Sequence, residues 1–297
     1  MEGPNFKEKI SLEHGKNMLH KSVPFFKWVF IIALGFGLGN LLNDILSPSY
    51  FTYPEDDTAY EDVSYEGCTV AGINLHGSIV TYVPAHAEND SYFDYDVVGS
   101  EDILWAIDNA NEDANIHAIV IEVDSPGGSP VAGEEIAKAI KNSPKPVVAF
   151  VRDMGASAAY WAVSSAEKIF ASRNSEVGSI GVTMSYLNNV EKNKTEGYQF
   201  EQLSSGKFKD AGSTDKALTK EEKELFLRDV NIIYENFMED ISVYRGIPIE
   251  KVREFSDGST VLGARALELG MIDEIGGINE VKNYLKEILE PEPVICW

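Results

Sequence analysis

Between residues 116 and 165 the chain alternates twice between a short apolar run and a helical segment. Ile116 to Val123 is rich in Val and Ile and suits a strand covered on both faces, and Pro130 to Lys141 reads as a helix. Pro146 to Val151 repeats the strand pattern, and Ala156 to Ser165 the helix. Parallel strands need crossover connections, and those crossovers run right-handed, so the alternation commits the chain to an α/β fold around a parallel sheet. Val70 to Val83 is β-rich with a turn or bulge at Gly77-Ser78, and Ser100-Glu101-Asp102-Ile103 opens a helix that ends near Asn111. Lys168 to Ala171 and Ser179 to Met184 are expected as short strands, and Tyr198 to Leu203 alternates like one. Thr219-Lys220-Glu221-Glu222 has the form of a capping box, and Phe226, Val230, Ile233, Phe237, Ile241 and Tyr244 repeat at helical spacing until Gly246. Val261 to Leu269 and Ile278 to Ile288 read as shorter helices around a strand within Gly270 to Gly277, and no internal repeat is visible.

The N-terminal region has a different character. Within residues 24–46, Trp28 to Gly39 is uncharged and apolar and is extended by Leu41, Leu42, Ile45 and Leu46, barely long enough to span a bilayer; Lys7, Lys9, Lys16, Lys21 and Lys27 precede the apolar run, and Asp44, Glu55, Asp56, Asp57, Glu61 and Asp62 follow it. The excess of lysine places residues 1–23 in the cytoplasm and everything after the stretch outside it. A long polar lead and the lack of a small-residue cleavage site favour an uncleaved anchor over a removed signal peptide. Residues 47–67 read as an acidic tether, 68–290 as the folded domain and 291–297 as a C-terminal tail. A formal net charge of -23 argues against nucleic acid as a partner. Cys68 and Cys296 have no zinc spacing and flank the folded region; a disulfide between them needs an oxidising compartment, and a mobile tail around Cys296 argues against it.

The chemistry concentrates at the strand ends. In a parallel sheet, ligands bind beyond the C-terminal ends of the strands. Ser125-Pro126-Gly127-Gly128 ends one predicted strand, and Gly155-Ala156-Ser157 follows the next. Glycines lacking Cβ atoms let a substrate carbonyl approach their amides, and the helix after Ser157 directs free N–H groups to the same place. One amide from Gly127 or Gly128 and one from Ala158 then make an oxyanion hole beside Ser157. A serine needs a base, and His14, His20, His76, His86 and His117 are all placed away from these strand ends. A desolvated lysine serves instead, and Lys209 and Lys207 in Gly206-Lys207-Phe208-Lys209-Asp210 both qualify on the residues alone. Glycine-rich turns that merely close tight corners are the structural alternative.

Five ordered motifs make the chain resemble the half-length bacterial signal peptide peptidase A family, of the Clp protease/crotonase fold. They are Asp124-Ser125-Pro126-Gly127-Gly128, Asp153-Met154-Gly155-Ala156-Ser157, Val177-Gly178-Ser179-Ile180-Gly181-Val182, Ser205-Gly206-Lys207-Phe208-Lys209-Asp210 and Gly270-Met271-Ile272-Asp273-Glu274-Ile275-Gly276-Gly277, within a match from about Val70 to Leu285. The resemblance implies repeated β-β-α units, Ser157 as nucleophile, Lys209 as general base and Ser179 as the residue that orients the lysine amine. It implies no cofactor and no metal. It also implies a membrane-anchored, extracytoplasmic homo-oligomer with active sites shared between subunits, acting on remnant signal peptides and other apolar peptides. Two departures stand out. Ser157-Ala158-Ala159-Tyr160-Trp161 replaces the usual Ser-Gly-Gly-Tyr-Tyr, which is expected to narrow the groove, and Asp257-Gly258-Ser259 stands where Asp-Gly-Arg is common. Against the peptidase reading stand a catalytically inactive membrane scaffold of the same fold and crotonase-type acyl-CoA chemistry. The retained Ser157, Lys209 and Ser179 argue against the first, and the anchor against the second.

Overall fold

The computed structural model describes residues 67–83 and 96–297. The proposed anchor and tether therefore lie outside the described residues, apart from Gly67; among those residues no helix is long and apolar enough to cross a membrane.

A nine-stranded sheet forms the centre, with the main strand order β2-β1-β3-β4-β5-β8. The long strands are β1 (Val70–Val80), β3 (Ala118–Gly128) and β4 (Val147–Ala156); β2 (Val97–Gly99), β5 (Lys168–Ala171) and β8 (Glu274–Ile275) complete the row. All these pairings are parallel, as the alternating apolar runs require. Helices α1 (Ser100–Glu112) and α2 (Pro130–Asn142) supply the crossovers from β2 to β3 and from β3 to β4. Along β3 the side chains divide between two cores: Ile119, Ile121 and Val123 enter the larger one, while Ala118 and Val120 enter a smaller one with Val148, Phe170, Val281 and Leu285. That division is why the run lacks the apolar-polar alternation of a half-exposed strand.

Both outer long strands have a break in register. β1 shifts against β3 between His76 and Ser78, with Gly77 at φ 74°, so the expected bulge is present. β4 pairs with β5 over Val148 to Val151, then leaves it and pairs with β6 (Glu176–Gly178) over Met154 to Ala156. The short β6 is antiparallel to β7 (Thr260–Leu262).

Several boundaries differ from expectation, each for a local reason. The strand placed at Ser179 to Met184 is instead Glu176–Gly178, because Ser179 turns the backbone to φ 52° and ends the ladder. Tyr198 to Leu203 forms no strand; Tyr198 and Leu203 are exposed, and no neighbouring strand offers backbone partners. Val261 and Leu262 belong to β7, so the helix α7 begins at Gly263 and ends at Glu268. β3 runs on through Ser125-Pro126-Gly127-Gly128, since β1 continues beside it to pair Ser78 with Gly127 and Ile79 with Gly128.

The C-terminal tail is not loose. Ile295–Cys296 forms β9, parallel to β1 at Val70 and Ala71, and Cys296 is disulfide-bonded to Cys68 with Cα atoms 5.9 Å apart. Trp297 lies against Gly72, where a Cβ would fall 2.4 Å from the indole.

Between these elements come α3 (Ala158–Val163), α4 (Val190–Thr195), the 26-residue α5 (Lys220–Arg245), α6 (Ile249–Glu254) and α8 (Ile278–Ile288). The capping box opens α5 as expected, with Thr219 Oγ1 accepting from the Glu222 N–H and Glu222 Oε2 accepting from the Thr219 N–H. Gly246 closes it in the left-handed conformation, where a glycine avoids the steric cost of a Cβ.

Candidate active site

Ser157 stands at the junction of β4 and α3, at the C-terminal edge of the parallel sheet. Its backbone takes φ 53° and ψ -127°. A side chain at positive φ costs on the order of 1–3 kcal/mol, so the surrounding structure must hold it there. It does so from both sides: the Ser157 N–H donates to Gly178 O at 2.7 Å, and Ser157 O accepts from the Trp161 N–H at 3.0 Å. Among the described residues only Ser157 and Ser179 combine a side chain with positive φ, and both line the same hollow of about 510 Å³. Two strained serines facing one recess make it the candidate functional site.

Gly127 and Gly128 reach this recess by different routes. A Cβ on Gly127, at φ 99°, would fall 2.7 Å from Ser157 Cβ and 2.8 Å from Ala158 N, so only glycine permits this approach. The Gly127 N–H is already engaged, donating to Ser125 Oγ at 3.1 Å, while the buried Ser125 hydroxyl donates to Gly77 O at 2.6 Å. Gly128 is the ladder partner of Ile79, and the next amide, Ser129 N–H, donates to Ile79 O at 2.8 Å. Neighbouring amides on a strand point to opposite sides, so the Gly128 N–H faces away from β1. Gly128 lines the hollow together with Ser157 and Ala158. Ala158 is the first residue of α3, where a helix amide has no intrahelical acceptor.

The opposite wall comes from α5. Val230, Asn231, Tyr234 and Phe237 face the recess, and the loop Ser256-Asp257-Gly258 closes one end. Tyr234 donates its hydroxyl to Ser256 O, which fastens that loop to the helix. Ser179 donates its hydroxyl to Gly258 O at 2.9 Å, and its N–H bonds Ser259 O at 2.9 Å. A second hollow of about 620 Å³ shares Val182, Thr183 and Val230 with the first and continues past Met184, Leu218 and Phe226. The two form one groove, mostly apolar, between residues 179–186 and α5.

The departures after Ser157 are absorbed differently. The Ala158 methyl points at α2, where a Cβ on Gly133 would come within 3.1 Å of it; the missing side chain at Gly133 makes room. Tyr160 is fully buried and donates to Met271 O at 3.0 Å, and burial pushes its phenol well above the usual value. Trp161 stacks on Phe237 with ring centroids 4.5 Å apart and donates its indole N–H to Asp240 Oδ2 at 2.8 Å. Trp161 thus lines the recess and ties α3 to α5.

Lys209 lies elsewhere within the chain. It sits on the exposed turn 205–212, its N–H donating to Gly206 O at 3.2 Å, and it lines neither part of the groove. Lys207 places its ammonium 5.1 Å from the Phe208 ring centroid. His76 stands on β1 with Nε2 3.2 Å from Glu122 Oε1, and His117 is exposed; neither lines the recess. Sequence reasoning missed Asn231, Tyr234 and Asp257 as lining residues. The first two were hidden in the helical repeat of α5, which marks only the apolar positions.

Comparison with known proteins identifies the family. A family model described as Peptidase family S49 matches residues 139–290. The MJ0651 protein of Methanocaldococcus jannaschii is 31% identical over 67% of this chain and 68% of its own. Protease 4 of Haemophilus influenzae is 28% identical over 74% of this chain, and the chloroplastic serine protease SPPA of Arabidopsis thaliana 30% identical over 63%. The matches span only 35% and 28% of those two longer relatives. Among solved structures, a ClpP1 chain from Listeria monocytogenes is similar at 18% identity over 69% of this chain, with a TM-score of 0.45. The chain belongs to peptidase family S49 and is a member of the signal peptide peptidase A group within it.

Proposed function

We propose that the protein is a membrane-anchored serine endopeptidase that cuts remnant signal peptides and other apolar peptides on the outer side of the membrane. The observation that carries this reading is Ser157, held at positive φ over a glycine-lined recess at the sheet edge. Its Oγ attacks the scissile carbonyl carbon while the Lys209 amine takes the hydroxyl proton. The N–H groups of Gly128 and Ala158 hold the developing oxyanion. Gly127 acts through its missing Cβ, because its amide is occupied by Ser125. The ammonium then returns the proton to the leaving amine, and water cleaves the acyl-enzyme by the same path in reverse order.

Because Lys209 is exposed and lines neither hollow within one chain, the base is supplied by a neighbouring subunit of a homo-oligomer. Ser179 orients the incoming amine from its place in the recess. The exposed Leu187, Tyr198 and Leu203 on the Lys209-bearing segment suit burial between subunits. The Cys68–Cys296 disulfide supports an oxidising location, as the lysine asymmetry around residues 24–46 does.

The test uses the full chain with apolar peptides. Cleavage is lost in both Ser157→Ala and Lys209→Ala, and a mixture of the two inactive proteins recovers activity, toward a quarter of wild type under random assembly. Persistent cleavage in Ser157→Ala overturns the nucleophile; no recovery on mixing overturns the shared site.

A further inference from the structure

Asp257 is the one charged side chain among the residues lining the hollow beside Ser157. Its neighbours there include Trp161, Val230, Tyr234 and Phe237, so the recess is otherwise apolar or neutral. Asp257 Oδ1 accepts the Ser259 N–H at 2.9 Å and the Ser259 hydroxyl at 2.5 Å. These neutral donors keep the carboxylate ionised without cancelling its charge, and among the described residues no cation pairs with it. The loop that carries it is fixed at several points. Ser256 donates its hydroxyl to Val252 O at 2.7 Å, the Gly258 N–H bonds Ile180 O at 3.1 Å, and Gly258 O accepts from Ser179. A fixed, exposed anion at the end of a recess that is otherwise uncharged discriminates between ligands by charge.

We propose that Asp257 is a specificity-determining residue that accepts a lysine or arginine side chain of the bound peptide. The groove then selects apolar peptides that carry a basic residue at one defined position. A lysine side chain suits this geometry because its methylene stem lies along apolar walls while its ammonium reaches the carboxylate. A glutamate at the same position meets like charge. This inference rests on reading the recess as the peptide site, and it does not depend on which residue performs the cleavage.

Binding to the full chain carrying Ser157→Ala tests it without turnover. The probes are fluorescent apolar decapeptides of one sequence, in which a single lysine, norleucine or glutamate is moved along the chain. At one position lysine should bind about three- to fivefold more tightly than norleucine, and glutamate more weakly, as for a partly exposed ion pair. The lysine-to-norleucine ratio should fall toward one when Asp257→Asn is added, shrink in 0.5 M salt, and give way to a glutamate preference with Asp257→Lys. A ratio that is the same with and without Asp257→Asn overturns the proposal, as does the absence of any preferred position. Selective binding alongside cleavage that survives Ser157→Ala would sink the nucleophile and leave Asp257 in place; unselective binding with normal Ser157-dependent cleavage would do the reverse.

Discussion

The two regions that bring the candidate catalytic groups are built to opposite standards. Ser157 follows directly on β4, which lies here between β3 and β6; its backbone is bonded on both sides, with Ala158 to Val163 buried behind it. Residues 182–218, which carry Lys209, contain only the six-residue α4, and none of its residues is buried. A few polar links hold that segment: the Asn189 N–H to Thr214 O at 2.6 Å, Asn193 Nδ2 to Asp215 Oδ1 at 2.8 Å, Tyr186 to Ser213 O at 2.8 Å, and the Lys216–Glu222 ion pair at 2.5 Å. Leu203 is 92% exposed and Leu187 81%, so the segment has little core of its own. The contrast teaches that Ser157 and the amides beside it are organised within one chain, whereas Lys209 lies on an arm whose Leu187, Tyr198 and Leu203 stay exposed among the described residues.

The largest effect should come from breaking either half. Ser157→Ala and Lys209→Ala should each lower kcat by roughly four orders of magnitude or more, read by release of a labelled apolar peptide. Mixing them recovers activity only if the halves meet between subunits. Next comes Gly127→Ala, which forces a methyl against Ser157 and Ala158 N. Its kcat should fall by about a hundredfold or more, with peptide binding to the folded protein largely kept, because the damage lies in the alignment of serine and amides. A normal kcat would show that the close approach of β3 to Ser157 is unnecessary.

Smaller effects probe what holds each region. Cys68→Ser should lower stability by about 2–5 kcal/mol, seen as a fall in Tm, because the disulfide closes a separation of 228 residues. The Ser157 wall lies at the other end of β1, so peptide hydrolysis below the new Tm should be near normal. On the arm, Glu222 is held below the usual carboxylate range, first by Lys216 and then by the Thr219 N–H. A folded-state value below the unfolded one means that this contribution is present above the unfolded value of about 4.5 and is lost as pH falls through the lower, folded one. Amide hydrogen exchange in residues 192–216, corrected for its intrinsic pH dependence, should therefore be faster at acid pH than at neutral pH. Glu222→Gln should show the faster exchange already at neutral pH and little further change with acid.

The same contrast governs what could be read from the sequence. The wall was legible because burial on both faces leaves continuous apolar runs such as Ile116 to Val123, and because Gly127 and Gly128 advertise a backbone that no other residue tolerates. The capping box at Thr219 was legible since its two hydrogen bonds are local. The arm misled: Tyr198 to Leu203 alternates like a strand, but alternation reports only a possible face, and here nothing packs on it. β6 was displaced by three residues because the positive φ of Ser179, an unusual state for serine, has no signature in composition. β9 was missed because a two-residue strand carries no periodicity; its place is set by Cys68 and by Trp297 lying on Gly72. Asp257 was noted only as part of Asp257-Gly258-Ser259, and its place in the recess was not legible because α5 and residues 179–183, which form the rest of the lining, are remote in sequence.

The bridge between Cys68 and Cys296 also changes the connectivity of the molecule. Residues 68 to 296 form a covalent ring. A ring cut once is still a single piece, so a nick in the exposed arm would release no fragment. The half that bears Ser157 and the half that bears Lys209 would stay joined until the disulfide was reduced.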